Sequence, residues 1–185
     1  MLSDIFISTG FGLIDPILAI YIKDGLSGGT VFSAGVASMI FLLVKSLVQL
    51  PFSKSVDDMD DVARSRWLLL GTICIAAVPF VYIFSTSIVH IYIAQLLHGA
   101  GSGLSYSAWL GVWSTHLDKG KESYEWSLYS TLAGIGTAIS AFIGGFVAQY
   151  IGFQLTFALV GVISLAGCFF LFVLLRQKKN LVVNS

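Results

Sequence analysis

One polar segment, residues 50–67, interrupts a chain that is otherwise apolar, and it limits the possible folds more than any other feature. It reads LPFSKSVDDMDDVARSRW and carries seven charged residues, in a chain with ten basic and ten acidic residues. The sequence on both sides consists of long apolar runs suited to hydrocarbon. We therefore predict that this segment lies in water between two membrane-spanning helices.

Composition indicates an integral membrane protein that contacts the lipid bilayer. The 185 residues are 56% hydrophobic and 11% charged, whereas about 25% of residues are charged in soluble domains. A soluble helical protein would need polar helix faces, which are missing. The zero net charge and the lack of a basic tract argue against nucleic acid as a partner. Cys74 and Cys168 fall in apolar runs as small hydrophobes, so we expect no metal and no cofactor.

Apolar runs of about 17 to 25 residues are long enough to cross a hydrocarbon core about 30 Å thick. We predict six such spans, at about residues 5–22, 30–52, 67–84, 88–113, 126–148 and 154–175. The connections between the third and fourth spans and between the fifth and sixth carry no charge, which predicts tight helical hairpins. The predicted fold class is an all-α membrane protein with six transmembrane helices.

The distribution of lysine and arginine predicts the orientation. Eight of the ten basic residues fall on one side of the predicted membrane, and Lys23 falls on the other. By the positive-inside rule, we expect both termini in the cytoplasm and a multi-pass protein of the plasma (inner) membrane. The eight residues are Lys54, Arg64, Arg66, Lys119, Lys121, Arg176, Lys178 and Lys179.

Two short matches indicate an internal repeat. Residues 10–13, GFGL, recur as residues 101–104, GSGL, at an offset of 91, and the end of the second span matches the end of the fifth at an offset of 92. Because three spans is an odd number, the second copy would be inverted in the membrane. We predict one domain over 1–185, with repeats at about 1–87 and 88–175 and a basic tail at 176–185. Chance similarity between glycine-rich helices is the alternative.

Small residues form two neighbouring stripes on the fifth span. One contains Gly136, Ser140 and Gly144, and the other includes Gly145. Such stripes let membrane helices approach closely. Static helix packing is the simpler interpretation, and a sliding or rocking face is the alternative.

Ionisable residues inside a span indicate a partner or a water-filled cavity, because each costs at least about 2.5 to 3.5 kcal/mol at mid-helix. Asp15 lies in the first span and Lys45 in the second, at similar predicted depths. We hypothesise that they pair and line a central cavity, with Gln49 one turn from Lys45. In the alternatives, Lys45 snorkels to the interface and Asp15 caps a helix break made by Pro16.

The fourth span adds Gln95 and His98, three residues apart on one helix face and near mid-membrane. Both are candidates to meet a solute or Asp15. In the alternative, His98 binds a neighbouring carbonyl group. Tyr92, Tyr106 and Trp109 provide an aromatic surface that suits an amphipathic organic solute.

The chain resembles the N-terminal six-helix half of major facilitator superfamily transporters. The first span, GFGLIDPILAIYI, is similar to the family's first helix, with a glycine-rich turn, a proline and then a tyrosine. After the second span the family has Gly, three residues, Asp and then basic residues. Ser53, Asp57, Arg64 and Arg66 occupy these places here, with a longer acidic insert. The resemblance implies a 3+3 inverted repeat, a cytoplasmic gate at this loop, and solute transport by alternating access.

The chain departs from the family pattern in two spans. The arginine associated with proton coupling in the family's fourth span is absent, and the sequence there reads Gln95, His98 and Gly99. The fifth span lacks the proline of the family's antiporters, with Ser140 and Ala141 in its place. Neither proton coupling nor antiport is therefore implied.

The alternatives to transport of a small solute by this chain alone are an intramembrane protease and a part of a larger transporter. An intramembrane serine protease needs a histidine base, and the predicted sixth span has none, so we expect no enzyme. Complete transporters of the family have twelve spans. The chain is then a half or fragment that needs a missing six-helix half, a non-transporting subunit, or a protein that pairs with a second copy of itself.

Overall fold

The computed structural model describes residues 12–115 and 117–183, without the side chains of Asp15, Leu174 and residues 177–183. Six named helices run through these residues in chain order: α1 (Asp15–Gly25), α2 (Val31–Asp57), α3 (Asp61–Ile83), α4 (Ile88–Ser114), α5 (Glu122–Tyr150) and α6 (Phe153–Val183). The all-helical prediction is confirmed.

Four of these helices are long and apolar enough to cross a membrane: α2, α3, α5 and, over Phe153–Val173, α6. The other two do not meet that standard in the described residues. Helix α1 has 11 residues and follows a turn at Leu13 and Ile14, and part of the predicted first span lies outside the description. Helix α4 has 27 residues, which include His90, His98, Gln95 and several glycines and serines. The predicted basic tail continues α6 as helix to Val183.

Local sequence signals begin several helices. Thr30 and Ser33 form a capping box at the start of α2, in which the Ser33 N–H donates to the Thr30 hydroxyl at 3.0 Å. Asp60 caps α3 by accepting from the Ala63 N–H at 2.7 Å. Gly152, with φ of 106°, allows the two-residue turn from α5 into α6. The sharp α5–α6 hairpin predicted from the uncharged connection is present.

Helix α4 is the centre of the bundle and packs most extensively against α2 and α3. Helix α3 also packs against α6, whereas α1 contacts α2 and α5. Glycines make the closest approaches. A methyl group on Gly71 would lie 2.6 Å from the Gly101 carbonyl oxygen, and one on Gly103 would lie 2.9 Å from the Lys45 carbonyl oxygen. These positions hold α4 close to both neighbours.

The bundle has two ends, which we name after the side chains that join the helices there. At the Tyr21 end, α1 stops and the α3–α4 turn lies beside it. Ser27 and Ser87 pair there, and the Tyr21 hydroxyl donates to the carbonyls of Tyr82 and Ser85. At the Arg64 end, α2 and α4 stop and α3 begins.

Candidate functional site

A cavity of about 560 Å³ lies between α1, α2 and α4, with single contributions from α3 and α5. Its volume is within the range of small-molecule sites. Most lining side chains are apolar, and the polar ones lie near the middle of long helices. The lining residues are Ile14, Leu18, Ala19, Ile22, Ala34, Ser38, Phe41, Leu42, Lys45, Tyr82, Gln95, His98 and Thr137.

Lys45 reaches the cavity from α2 and is half-buried. Its Nζ lies 5.0 Å from the centroid of the Tyr106 ring, a cation–π contact. Tyr106 is one turn nearer the Arg64 end than Gly103, against which the Lys45 backbone packs. The lysine side chain therefore extends along α4 toward that end while its stem remains at the cavity.

Gln95 and His98 face Lys45 from α4. Gln95 is 3% exposed, and its Oε1 has no hydrogen-bond partner in the described residues. The His98 ring packs on the Phe41 ring, with centroids 4.4 Å apart. The three polar side chains predicted on α2 and α4 thus lie around one cavity.

Of the two other predicted pathway residues, Asp15 and Gln49, the structure describes the side chain of Gln49. The Asp15 side chain lies outside the described residues, so its pairing with Lys45 stays a prediction. Gln49 is not among the residues that line the cavity, and its carbonyl accepts a hydrogen bond from the Ser107 hydroxyl at 3.1 Å. At its backbone, Gln49 joins α2 to α4.

Sequence reasoning missed Ser38, Phe41 and Thr137 as lining residues. Ser38 and Thr137 carry hydroxyl groups in otherwise apolar spans, which is the one signal that marks them. Phe41 carries no such signal, because phenylalanine is as common in lipid-facing positions as in a cavity wall. Within residues 12–115 and 117–183, no three His, Cys, Asp or Glu side chains form a metal-binding group.

Arg64, predicted in the gate loop, joins three helix ends. Its guanidinium donates to the carbonyls of Val56 at 3.0 Å, Asp57 at 3.1 Å and Gly111 at 3.3 Å. It also lies 3.6 Å from the Asp61 carboxylate. A positive charge near the last carbonyls of a helix is stabilising, because that end of the helix dipole is negative. Arg64 therefore stabilises the C-terminal ends of both α2 and α4.

The remaining loop candidates have smaller roles in the structure. The Ser53 hydroxyl donates to the Leu50 carbonyl within α2, at 2.9 Å. Asp57 is the last residue of α2 and provides its carbonyl to Arg64. Arg66 is exposed.

The small-residue stripes of α5 meet α1 at some positions and open space at others. Ser140 and Gly144 are buried, and Gly144 packs on the Leu13 carbonyl. Gly136 is half-buried, and Gly145 has no atom within 4 Å of a methyl group built on it. The first stripe therefore forms the α1–α5 contact.

Comparison with known protein families identifies the family of the chain. No curated protein matches the chain. The family model of the Major Facilitator Superfamily matches residues 1–184, nearly the full sequence. This match and the apolar helices indicate a multi-pass membrane protein that takes part in solute transport. The chain belongs to the major facilitator superfamily of membrane transporters.

Proposed function

We propose that the protein moves a small solute across the membrane by alternating access, with the cavity between α1, α2 and α4 as its solute site. The observation that carries this proposal is the grouping of Lys45, Gln95 and His98 around one cavity. Polar and ionisable groups are costly at membrane depth and mark solute or ion pathways.

We further propose that α1–α3 and α4–α6 form a 3+3 inverted repeat. Helix packing at equivalent positions supports this. Gly12 of α1's preceding turn approaches Thr137 and Ser140 of α5, and Gly103 of α4 approaches Lys45 and Val48 of α2. Gly12 and Gly103 differ by the offset of 91 found in the sequence. Their neighbours differ by 92, from 45 to 137 and from 48 to 140.

Such a repeat relates the α1–α5 contact to the α4–α2 contact, and Thr137 and Lys45 then take equivalent places in the cavity wall. A glycine makes the close approach in both contacts, against Thr137 and Ser140 in one and against Lys45 and Val48 in the other. Smooth surfaces of this kind suit a rocking motion around a central site.

The transport proposal is tested in liposomes loaded with a panel of solutes. Gln95→Leu is expected to lower uptake at least tenfold, because it removes the buried amide from the cavity wall. Gln154→Leu is the matched control, since Gln154 is exposed at the start of α6. Equal uptake by the two variants contradicts the site.

The predicted pairing of Asp15 with Lys45 is tested with Asp15→Asn and Lys45→Met, alone and combined. The pair requires the double variant to retain more uptake than either single variant.

The proposed solute path requires a second six-helix bundle, either another copy or a missing half. Little of the most apolar part of α2 and α5 is buried, 17% and 11%, compared with 39% for α3 and 44% for α6. The two less buried helices are available to such a bundle. The mass of the purified protein, corrected for detergent, distinguishes the cases. A dimer with uptake indicates a self-sufficient transporter.

The same exposed faces favour a second candidate, a membrane subunit that transports nothing alone. A monomer that is inert toward every solute supports this candidate over the first. Co-purification of another six-helix protein then identifies the missing half.

The proposed orientation, with both termini in the cytoplasm, has a direct test. Cys74 and Cys168 are first replaced by alanine, and single cysteines are introduced as Thr86→Cys or Lys119→Cys, both at exposed positions. We expect an impermeant maleimide to label position 86 from outside intact cells and position 119 only after lysis. The reverse pattern contradicts the orientation.

A further inference from the structure

The charge of the cavity wall indicates which class of solute the cavity can bind. Among its described lining residues, Lys45 carries the one permanent charge, and Tyr106 holds the ammonium by its ring face. The described side chains offer Lys45 no carboxylate within 4 Å. The half-buried ammonium lies beside Tyr106, toward the Arg64 end of the cavity, and there it attracts an anion more strongly than it does in water.

The rest of the wall excludes a simple inorganic anion as the best fit. Ile14, Leu18, Ile22 and Leu42 supply apolar surface from two helices, and Phe41 adds an aromatic face. A small hydrated ion would leave that surface in contact with water. A solute with an apolar body covers it and gains the hydrophobic contribution.

Gln95 adds a third requirement. Its amide is almost completely buried, and Oε1 has no partner in the part of the chain that the structure describes. A buried acceptor without a donor is unfavourable, and rotation of the amide can bring it to a donor in the cavity. A hydroxyl or N–H group on the solute satisfies it.

We propose that the solute is a small organic anion: a carboxylate that meets Lys45, an apolar body against α1 and α2, and a hydrogen-bond donor for Gln95. Cations are disfavoured by Lys45. Neutral apolar compounds leave both Lys45 and Gln95 without a partner. This solute class deepens the proposed transport function and rests on it, so its test is a binding measurement that does not require transport.

The experiment uses matched probes that differ in charge. One set is 4-hydroxyphenylacetate, its methyl ester and tyramine, which share a ring and a hydroxyl and are anionic, neutral and cationic. Parallel sets carry an indole or a branched aliphatic body. Binding to the purified full chain in detergent is measured by calorimetry. We expect the anion of at least one set to bind at least tenfold more tightly than its ester and its amine.

Variants then assign the preference to Lys45. Lys45→Gln is expected to remove the tenfold preference, and Lys45→Arg to keep it, which separates loss of charge from loss of folding. Lys54→Gln is the control, because Lys54 is exposed and lies outside the cavity. Asp15→Asn is expected to strengthen anion binding severalfold if Asp15 pairs with Lys45, because the competing carboxylate is removed.

Three results overturn the proposal: no anion binds, the ester or amine of every set binds as well as the anion, or Lys45→Gln keeps the preference. Anion binding without uptake in liposomes leaves the solute class standing and contradicts transport by this chain. Uptake of a neutral solute that depends on Gln95 but not on Lys45 supports transport and contradicts the solute class.

Discussion

At the Tyr21 end a neutral hydroxyl makes the hydrogen bonds between helices, whereas at the Arg64 end a guanidinium makes them. Tyr21 is 6% exposed, donates to the carbonyls of Tyr82 and Ser85, and packs edge-on against Phe157 with ring centroids 4.9 Å apart. The Arg64 side chain is 11% exposed and contacts three helix ends. A neutral hydroxyl thus makes the two hydrogen bonds at the Tyr21 end, and one charged side chain makes three at the Arg64 end, beside a ring contact between Phe52 and Trp67 at 5.0 Å.

The two ends differ in the type of interaction that joins their helices. Neutral hydrogen bonds and aromatic packing carry no net charge and are little affected by salt. A guanidinium donates to several carbonyls at once, so its loss removes several charge-assisted hydrogen bonds together. Substitutions should therefore affect the two ends unequally.

Removal of the guanidinium should give the largest effect. Arg64→Met is expected to lower the free energy of unfolding by about 3 kcal/mol, because hydrogen bonds from a charged group contribute about 1.5 to 3 kcal/mol. Arg64→Lys should recover less than half, since lysine lacks the planar fork. Thermal unfolding in detergent, followed by tryptophan fluorescence, measures both. Arg66→Met, at an exposed position, is the control, and an equal loss there contradicts the assignment.

Adding a methyl group at a close helix contact of the Arg64 end should give the next largest loss of stability. A methyl group on Gly111 would lie 2.6 Å from Val56 Cγ1 and 3.3 Å from Arg64 Cδ. Gly111→Ala is expected to cost about 1 to 3 kcal/mol by overpacking. Adding Val56→Ala should make the double variant more stable than the two separate losses predict. Gly134→Ala is the control, because Gly134 faces open space.

At the Tyr21 end, loss of one hydroxyl should have a smaller effect. Tyr21→Phe keeps the ring against Phe157 and removes the two hydrogen bonds, for an expected loss of about 1 kcal/mol. The same unfolding assay applies, with Tyr124→Phe as the exposed control. A loss as large as that of Arg64→Met contradicts the contrast between the ends.

The smallest expected effect concerns how folding stability depends on pH, and it comes from a carboxyl group at the Arg64 end. The N–H of Gly120 donates to Glu122 at 3.0 Å, and backbone N–H groups of Gly120 and Glu122 lower the pKa of this carboxyl below its ordinary value of 4.5. A lowered folded-state pKa adds stability above the unfolded-state pKa, and that stability is lost as pH falls through the folded-state pKa.

Glu122→Gln should therefore lower stability slightly at neutral pH, where the ionised carboxyl contributes, and should flatten the loss of stability below about pH 4.5, where the unchanged protein loses that contribution. Unfolding temperatures measured from pH 7 to pH 3 test this. Glu125→Gln leaves the Glu122 contact in place and serves as the control. An identical acid profile for both variants contradicts the role of Glu122.

The sequence predicts where the helices lie better than it predicts which contacts their side chains make. The charged loop and the connections between spans were predicted from charge and apolar length, because water and hydrocarbon exclude each other's groups. Lys45, Gln95 and His98 were singled out because polar groups are rare in spans. Arg64 was assigned to a gate loop by resemblance, but its bond to the end of α4 joins residues 47 positions apart.

Tyr21 shows the limit most clearly. In the sequence it is one tyrosine near a span edge, whereas in the structure its hydroxyl lies 3.1 Å from a carbonyl 61 residues away. Nothing local encodes that partner. The same holds for Thr137, which the sequence presents as part of a packing stripe and the structure places in the cavity wall.

The sequence by itself determined the membrane class and the all-helical fold, since both follow from the transfer of local groups between water and hydrocarbon. It placed the α2–α3 connection within residues 50–67 but made it too long, because α2 continues to Asp57 and α3 begins at Asp61. Only the tertiary structure decided which helix faces meet and which residues surround the cavity. The physical reason is that spans that are apolar on every side have no polar face to orient them. Their rotation and neighbours are set by glycine contacts and single hydrogen bonds between distant residues.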